Sequence, residues 1–378
     1  MCSSDLYQAG VAPYAEVGGQ WSSEARAAPS RVVLTVPRLA AGAPLPLVVF
    51  VRTGGGGDRP LVDRGVRDAV GRVLTPASGP ARELAQAGVA GLSIDGPHGG
   101  PRNPSGADEQ FLMFNFLNPG ALRDNVRQSA LELALLPALI AGLEVDATGC
   151  VPSGGRLRFD TARLGLMGHS MGATIAPLAA WAAPEYRALV LSGAGASWLE
   201  NLLHKQKPLP VRPLAEALLG YTERGVTLAA HDPVLSLVQW AIEPADPLVY
   251  APALSAPHVL MLQGIVDHYI MPPIAEALST ALTLEQGGPS LDVLTPELAA
   301  FPGLAEARRL SGAAAPPYPI APASGQPTRV VVQHAADGVE DGHEVMFQTD
   351  GAKTQYRCFW RTFAAGAPVV IAPDAACP

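Results

Sequence analysis

Residues 163–181 read RLGLMGHSMGATIAPLAAW, and the centre of this stretch is the GHSMG sequence at 168–172. The apolar residues before the centre are typical of a buried strand, and those from 171 to 181 favour a helix. A serine on so sharp a turn has close neighbours on both sides, and glycines two positions away remove the side chains that would clash. Such a turn would expose the Ser170 hydroxyl and aim the Met171 amide at a developing oxyanion. The alternative interpretation is an ordinary turn in which Ser170 caps the helix.

Short apolar runs elsewhere in the chain predict further strands. The predicted strands cover residues 31–37, 45–52, 89–95, 163–167, 188–192, 258–263 and 329–333. Helices are expected at 78–88, 123–143 and 171–181. Strands that are apolar rather than alternating, and that are separated by helices, indicate a mostly parallel sheet covered on both faces.

Two connections are too long for a simple crossover. They cover about 196–257, with expected helices at 198–204, 212–223 and 231–241, and about 283–327. Long connections of this kind usually form functional loops or lids, so we expect them to cover the site. The predicted organisation is an N-terminal arm over 1–30, irregular or an edge hairpin, followed by one α/β domain over 31–378.

The strand, the GHSMG turn and the helix together resemble the nucleophile elbow of the α/β-hydrolase family. The likeness extends in chain order over about residues 31–343 and leaves the two long insertions unmatched. It implies a mostly parallel central sheet flanked by helices. It also implies a serine esterase of the carboxylesterase or lipase kind, with Ser170 as the nucleophile, followed along the chain by an acid and then a histidine.

The resemblance implies that Asp267 is the acid. It follows the strand at 258–263 in the sequence QGIVDHYIMPP, which is similar to the family's acid loop. An aspartate at the carboxyl end of a strand points into the crevice where ligands bind. Asp267 could instead cap the following helix, and Asp246 and Glu243 remain weaker alternatives for the acid.

The resemblance likewise implies that His343 is the base, because the sequence DGHEV at 341–345 matches the position of the family's histidine loop. Other histidines fit less well. His268 lies too close to Asp267 along the chain to be its partner, and His334 is expected to be packed at the end of a strand. We expect Asp337 and Asp341 to lie on a solvated loop face.

Two backbone amides are expected to form the oxyanion hole. Met171 supplies one, and the loop after the strand at 45–52 supplies the other. The family usually has His-Gly there, whereas this chain has Arg52 and Thr53 followed by glycines at 54–57. Aligning Arg52 with the family's histidine makes Gly54 the donor, with Thr53 as the second choice. A flexible linker is the alternative for this glycine run.

Four further residues are candidates for the substrate pocket: His169, His98, Tyr269 and Trp198. Aromatic residues of this kind are more often part of the core. The low charge and the leucines of the 196–257 segment favour an apolar acyl pocket, and hence short- to medium-chain or aromatic esters, with polyesters as an extension.

Composition excludes several other classes of function. The net charge of −8 provides no basic stripe for nucleic acid, and 48 % hydrophobic residues predict an ordered core. The sequence contains no continuous run of about 18 apolar residues, so we expect no membrane span. Only three residues are lysines, which we attribute to codon bias. His, Cys, Asp and Glu are too scattered to predict a metal site, and no cofactor is expected.

The four cysteines leave the cellular compartment open. Cys358 and Cys377 could pair with each other or with Cys150, which would indicate an oxidising compartment. No signal peptide is visible, and the first six residues look like a translated sequencing adapter, as in metagenomic sequences. The location is therefore secreted or periplasmic with a missing leader, or otherwise cytoplasmic.

Serine-dependent ester hydrolysis is the function that the sequence favours. Acyl transfer or peptide cleavage on the same fold is the alternative, because fold and triad do not decide the reaction. A non-catalytic hydrolase-like binding protein is the remaining possibility. The expected ligand is a small-molecule or polymeric ester.

Overall fold

The computed structural model describes residues 7–10, 29–38, 44–54, 59–148, 155–307, 317–323 and 325–378. Its strands are β1 Tyr7–Gly10, β2 Pro29–Thr35, β3 Leu45–Val51, β4 Ala90–Ile94, β5 Val145–Asp146, β6 Arg156–Leu157, β7 Phe159–His169, β8 Tyr186–Ser192, β9 His258–Ile265, β10 Glu285–Gly287 and β11 Arg329–Ala335. Its α-helices are α1 Pro60–Asp63, α2 Pro80–Gln86, α3 Glu109–Met113, α4 Pro119–Ala141, α5 Met171–Ala182, α6 Trp198–His204, α7 Val211–Leu218, α8 Pro233–Ile242, α9 Pro247–Tyr250, α10 Pro272–Ala281, α11 Leu304–Ala307, α12 Val345–Gln348 and α13 Asp350–Ala364.

Within the described ranges, nine strands form one sheet in the order β1-β2-β4-β3-β7-β8-β9-β11-β10. β2 pairs antiparallel with both β1 and β4, and the pairs from β4 through to β10 are parallel. The expected mostly parallel sheet flanked by helices is therefore confirmed. Such a sheet places the carboxyl ends of its parallel strands along one edge, where ligands bind.

Both faces of the sheet are buried, as the apolar strands predict. In β3 the side chains alternate between two core clusters: Leu47 and Val49 face one, with α4 and α5, while Val48 and Phe50 face the other, with α2 and α13. All seven residues of β3 are buried.

β1 makes Tyr7–Gly10 an edge strand antiparallel to β2, in line with the edge hairpin, which is one of the two forms expected for the N-terminal arm. Other elements differ from the sequence prediction: β7 begins at Phe159, four residues before the predicted start. α13 is not among the predicted helices, although its apolar residues Tyr356, Phe359 and Phe363 recur at helical spacing and are buried. The helices expected at 212–223 and 231–241 form as the shorter α7 and as α8.

A disulfide joins Cys358 of α13 to Cys377, with their Cα atoms 5.4 Å apart. This is one of the pairings that the sequence leaves open. Cys2 and Cys150 lie outside the described residues. None of the described helices is both long and apolar enough to cross a membrane.

Candidate active site

Ser170 occupies a strained turn between β7 and α5. Its backbone has φ 53° and ψ −118°, a conformation that residues with a side chain rarely adopt. Its amide donates to the Ser192 carbonyl of the neighbouring strand at 2.9 Å. Its side chain makes no capping hydrogen bond to α5. The serine is therefore held at the sheet edge with its hydroxyl free of the capping role.

The two glycines of the motif allow this turn to pack. A Cβ on Gly168 would lie 2.5 Å from the Gly172 carbonyl oxygen. A Cβ on Gly172 would lie 2.7 Å from the Val51 carbonyl oxygen at the end of β3. Because these contacts are with backbone atoms, neither can be relieved by a side-chain rotation.

Asp267 and His343 form a buried pair at the same edge of the sheet. His343 Nδ1 and Asp267 Oδ2 are 2.8 Å apart, and the exposed fractions of the two side chains are 3 % and 4 %. Asp267 Oδ1 accepts from the amides of Tyr269 and Ile270, each at 2.8 Å. Helix α10 starts beyond this loop, after Met271, so Asp267 does not cap it.

His343 also lies close to the serine turn. A Cβ on Gly193, the residue after Ser192, would lie 2.6 Å from His343 Cε1. Ser170 and His343 are both in the described part of the chain, and no hydrogen bond joins their side chains there. Such contacts often shorten only when a substrate binds.

Two aromatic rings enclose the His343 imidazole. The Tyr269 ring stacks on it with centroids 4.4 Å apart and planes 17° apart. The His169 ring lies 4.6 Å away and packs edge-on against Phe347. Complete burial lowers the pKa of His169 well below its usual value, so this ring is neutral. The structure thus places Tyr269 and His169 around His343.

The neighbouring histidines have other roles. His268 Nδ1 contacts Asp341 Oδ2 at 2.7 Å instead of Asp267. Burial lowers the pKa of His334 to about 4, as expected for a packed side chain. His98 Nε2 lies 3.3 Å from Asn125 Oδ1 and does not line the cavity described below.

The expectation that Asp341 lies on a solvated face is wrong. Its side chain is only 7 % exposed, and its Oδ1 accepts from the amides of His268 and His343. Its Oδ2 also pairs with the Lys207 ammonium at 2.8 Å. Asp341 therefore joins the loop of Asp267 to the loop of His343, because the nearby amides and the Lys207 ammonium offset the cost of burying its charge. Asp337 is exposed, as expected.

Asp246 is also buried, but it serves a different purpose. Its Oδ1 accepts from the amides of Ser197 and Leu248, and its Oδ2 accepts from the amide of Trp198, all at 2.9 Å. It thus anchors the start of α6 and does not contact a histidine. Glu243 is exposed.

The two predicted oxyanion donors follow neighbouring strands of the sheet, β7 and β3. Met171 is the first residue of α5, where backbone amides have no partner within the helix. Gly54 follows β3, and a Cβ there would lie 2.6 Å from Gln110 Cγ, so the backbone and α3 approach closely. Thr53 is buried. Residues 55–57 of the glycine run lie outside the described residues.

The Arg52 side chain is buried. Its guanidinium pairs with Glu109 of α3 at 2.8 Å and donates to the Pro97 carbonyl. Burial lowers its pKa. Arg52, which stands where the family has histidine, therefore links the end of β3 to α3 through an ion pair and does not act as an imidazole would.

A small cavity opens onto Ser170. Its lining residues are Phe114, Phe116, Ser170, Met171, Thr174, Gly195, Ala196, Ser197, Trp198, Asn201, Lys205, Asp246, Pro247 and Ile270. About 40 Å³ is open to the centres of water-sized spheres, and one water needs about 10–15 Å³ on that measure. The enclosed part of the cavity is therefore small, with room for about three or four water molecules.

Of the four predicted pocket residues, Trp198 lines this cavity, whereas His169, His98 and Tyr269 do not. Sequence reasoning misses Lys205 and Asn201, which α6 and its C-terminus bring to the same cavity. Lys205 is held there because its ammonium donates to the Tyr269 carbonyl at 2.9 Å. The described residues include no group of His, Cys, Asp and Glu side chains that could hold a metal ion.

No protein-family model matches the chain, and no curated protein matches its sequence. Solved structures do match. One is a 2,6-dihydroxy-pseudo-oxynicotine hydrolase, with 13 % identity and a TM-score of 0.44 over 91 % of this chain and 67 % of that one. Another is acetyl xylan esterase 1 from Thermoanaerobacterium sp. JW/SL YS485, with 14 % identity and a TM-score of 0.45 over 74 % of this chain and 80 % of that one.

The Pyrococcus horikoshii acylaminoacyl peptidase is a third, with 11 % identity and a TM-score of 0.45 over 95 % of this chain and 42 % of that one. So distant a likeness carries no inference about the reaction. The strand order and the strained serine turn between β7 and α5 carry the assignment of the fold. On these features, the chain has the α/β-hydrolase fold.

Proposed function

We propose that the protein is a serine hydrolase that cleaves carboxylic esters with short acyl groups. The observation that carries the proposal is the Ser170 turn, which is strained, does not cap its helix and lines a cavity. The buried Asp267–His343 pair at the same sheet edge supplies the base and the group that orients it.

The proposed reaction proceeds through an acyl-enzyme. Ser170 Oγ attacks the ester carbonyl while His343 Nε2 takes the hydroxyl proton. His343 returns that proton to the leaving alcohol as the carbon–oxygen bond breaks. A water molecule then attacks the acyl-enzyme, giving its proton to His343, and the acid leaves as the proton returns to Ser170 Oγ.

The other groups in this scheme orient His343 and stabilise the oxyanion. Asp267 accepts from Nδ1 and thereby fixes the tautomer that leaves Nε2 free to act as the base. The amides of Met171 and Gly54 hold the oxyanion, and each contributes about 10²–10³ in rate.

The small cavity supports a preference for short acyl chains over the medium-chain, aromatic and polymeric esters that the sequence also allows. The 196–257 segment contributes α6 and Asp246 to the lining, so we assign it the role of a cap on the 31–378 domain. None of the described residues of the 283–327 segment lines the cavity.

The test is hydrolysis of p-nitrophenyl esters from acetate to decanoate, with Ser170→Ala as the variant. We expect the wild type to prefer the shortest chains and the variant to lose hydrolysis while staying folded by circular dichroism. A fluorophosphonate probe should label the wild type and Ser197→Ala, the other cavity serine, but not Ser170→Ala. Labelling of Ser170→Ala, or its hydrolysis near the wild-type rate, would reject the proposal in favour of a non-catalytic protein or another nucleophile.

A further inference from the structure

One of the three lysines of the chain lies at the candidate active site. Lys205 is the residue that ends α6, and it lines the same cavity as Ser170 and Met171. A cavity for apolar esters has no need of an ammonium group. Lys205 is partly buried, and lysines are seldom taken even partly out of water without a partner, because removing the charge from water is costly.

The contacts of this ammonium leave part of its bonding capacity unused. Its Nζ donates one hydrogen bond, to the Tyr269 carbonyl, and lies 5.8 Å from the centre of the Tyr269 ring. An ammonium has three N–H donors. No carboxylate in the described part of the chain forms an ion pair with it. Its burial lowers its pKa to about 8, so most of the group is still charged at pH 7.

The acidic groups near the cavity are already occupied. Both Asp246 oxygens accept from backbone amides, and Asp267 is shared between His343 and the amides of its own loop. Trp198, which lines the cavity from the same helix, has an indole N–H that is buried without a partner among the described residues. The lining therefore has spare hydrogen-bond donors and a spare positive charge.

We propose that Lys205 binds a carboxylate on the acyl part of the substrate, so that the preferred substrates are half-esters of short dicarboxylic acids. This inference rests on the proposed ester hydrolysis and names its substrate class. Because Ser170 and Lys205 line one small cavity, the carboxylate would lie only a few bonds from the scissile carbonyl. The succinyl group, with two methylenes between its carbonyls, is the probe that fits this description.

The test compares two esters of nearly the same shape, monomethyl succinate and methyl 4-methylpentanoate, which differ in whether the acyl chain ends in a carboxylate or an isopropyl group. Methanol release gives kcat/KM for each, and the ratio of the two values is the readout. We expect Lys205→Met to lower the succinate-to-methylpentanoate ratio by about 10- to 100-fold, the range for a hydrogen bond to a charged group. Lys205→Arg, which keeps the charge, should retain most of the preference.

Lys207→Met is the matched control, since Lys207 lies two residues away but pairs with Asp341 outside the cavity. Its ratio should equal that of the wild type. If Lys205 only holds the Tyr269 loop in place, Lys205→Met should lower kcat/KM for both esters by the same factor and leave their ratio unchanged. An unchanged ratio in Lys205→Met would overturn the inference while leaving ester hydrolysis intact.

A binding measurement separates this inference from the proposed reaction. Calorimetric titration of succinate into Ser170→Ala should show binding that weakens at least about tenfold when Lys205→Met is added. This result does not depend on turnover, so it supports the carboxylate site even if neither ester is hydrolysed. Equal affinity with and without Lys205, or no binding of succinate to either protein, would reject the site.

Discussion

The two parts of the candidate site are built in different ways. We call Ser170, Asp267 and His343, on loops at the carboxyl edge of the sheet, the floor of the site; of the three, Ser170 lines the cavity. We call the 196–257 segment, our proposed cap, the roof; it contributes α6 to the cavity lining. The floor is fixed by the backbone: a positive φ at Ser170 and two glycines that touch neighbouring carbonyls. The roof is fixed by side chains, above all by Asp246 beneath the start of α6.

The floor and the roof each contain one buried aspartate, and comparing the two shows how the parts differ. Asp267 and Asp246 are both almost fully buried, and each accepts hydrogen bonds from backbone amides. Only Asp267 also contacts an imidazole. Burial and amide contacts are therefore common to both aspartates, and the contact with His343 is what distinguishes Asp267, the residue that we propose as the acid.

The largest expected effect follows from replacing these two residues in parallel. Asp267→Asn should reduce kcat by about 10⁴, because an amide in this place favours the wrong tautomer of His343. Asp246→Asn leaves one buried amide of the roof without an acceptor, which costs about 1–3 kcal/mol of stability. Its loss of activity should be much smaller and appear mainly in KM.

Steady-state kinetics and thermal unfolding of both variants make this comparison. Equal losses of kcat in the two variants would show that Asp267 acts only as an anchor, and the proposed acid would then have to lie elsewhere.

The serine turn can be predicted from the sequence because its constraints are local. It requires glycines at fixed positions, and buried strands show as apolar runs, so the amino-acid pattern is enough to propose Ser170. Asp267 and His343 are proposed from the resemblance to the α/β-hydrolase family. The bridging role of Asp341 has no such local signal, because its partners Lys207 and His268 are distant along the chain.

The roof can be predicted only as a helical insertion. Nothing near Lys205 in the sequence shows that its ammonium reaches the Tyr269 carbonyl, 64 residues away. Codon bias, to which we attribute the low number of lysines, says nothing about the position of this one. The unpredicted helix α13 is different, since its apolar spacing is visible in the sequence.

The dependence of the floor on backbone packing can be tested by replacing one glycine in the floor and, as a control, one in the roof. Gly172→Ala would place a methyl group 2.7 Å from the Val51 carbonyl oxygen and force α5 away from β3. We expect kcat to fall by about 10² or more, the contribution of one oxyanion donor, because the Met171 amide moves with the helix.

Gly225→Ala in the roof is its control. Gly225 has φ 64° but no atom within 4 Å of the added carbon, so the change should cost only about 1–2 kcal/mol of stability. Activity per folded molecule should remain that of the wild type. Wild-type kcat in a folded Gly172→Ala protein would contradict the idea that the floor is fixed by its backbone.

The smallest expected effect concerns the charge in the roof. Burial holds the pKa of Lys205 at about 8, below the usual value for lysine, so its positive charge is present below that pH and is lost as the pH rises through it. The substrate carboxylate stays ionised above about pH 5. The preference for monomethyl succinate over methyl 4-methylpentanoate should therefore fall, by up to about tenfold between pH 7 and 9.5. Titration of the catalytic groups affects both esters alike and cancels in the ratio. Lys205→Arg should keep its preference across the same range, because the guanidinium stays charged. If the ratio of kcat/KM for the two esters does not change with pH in the wild type, the substrate carboxylate does not bind at Lys205. The roof would then contribute only apolar contacts.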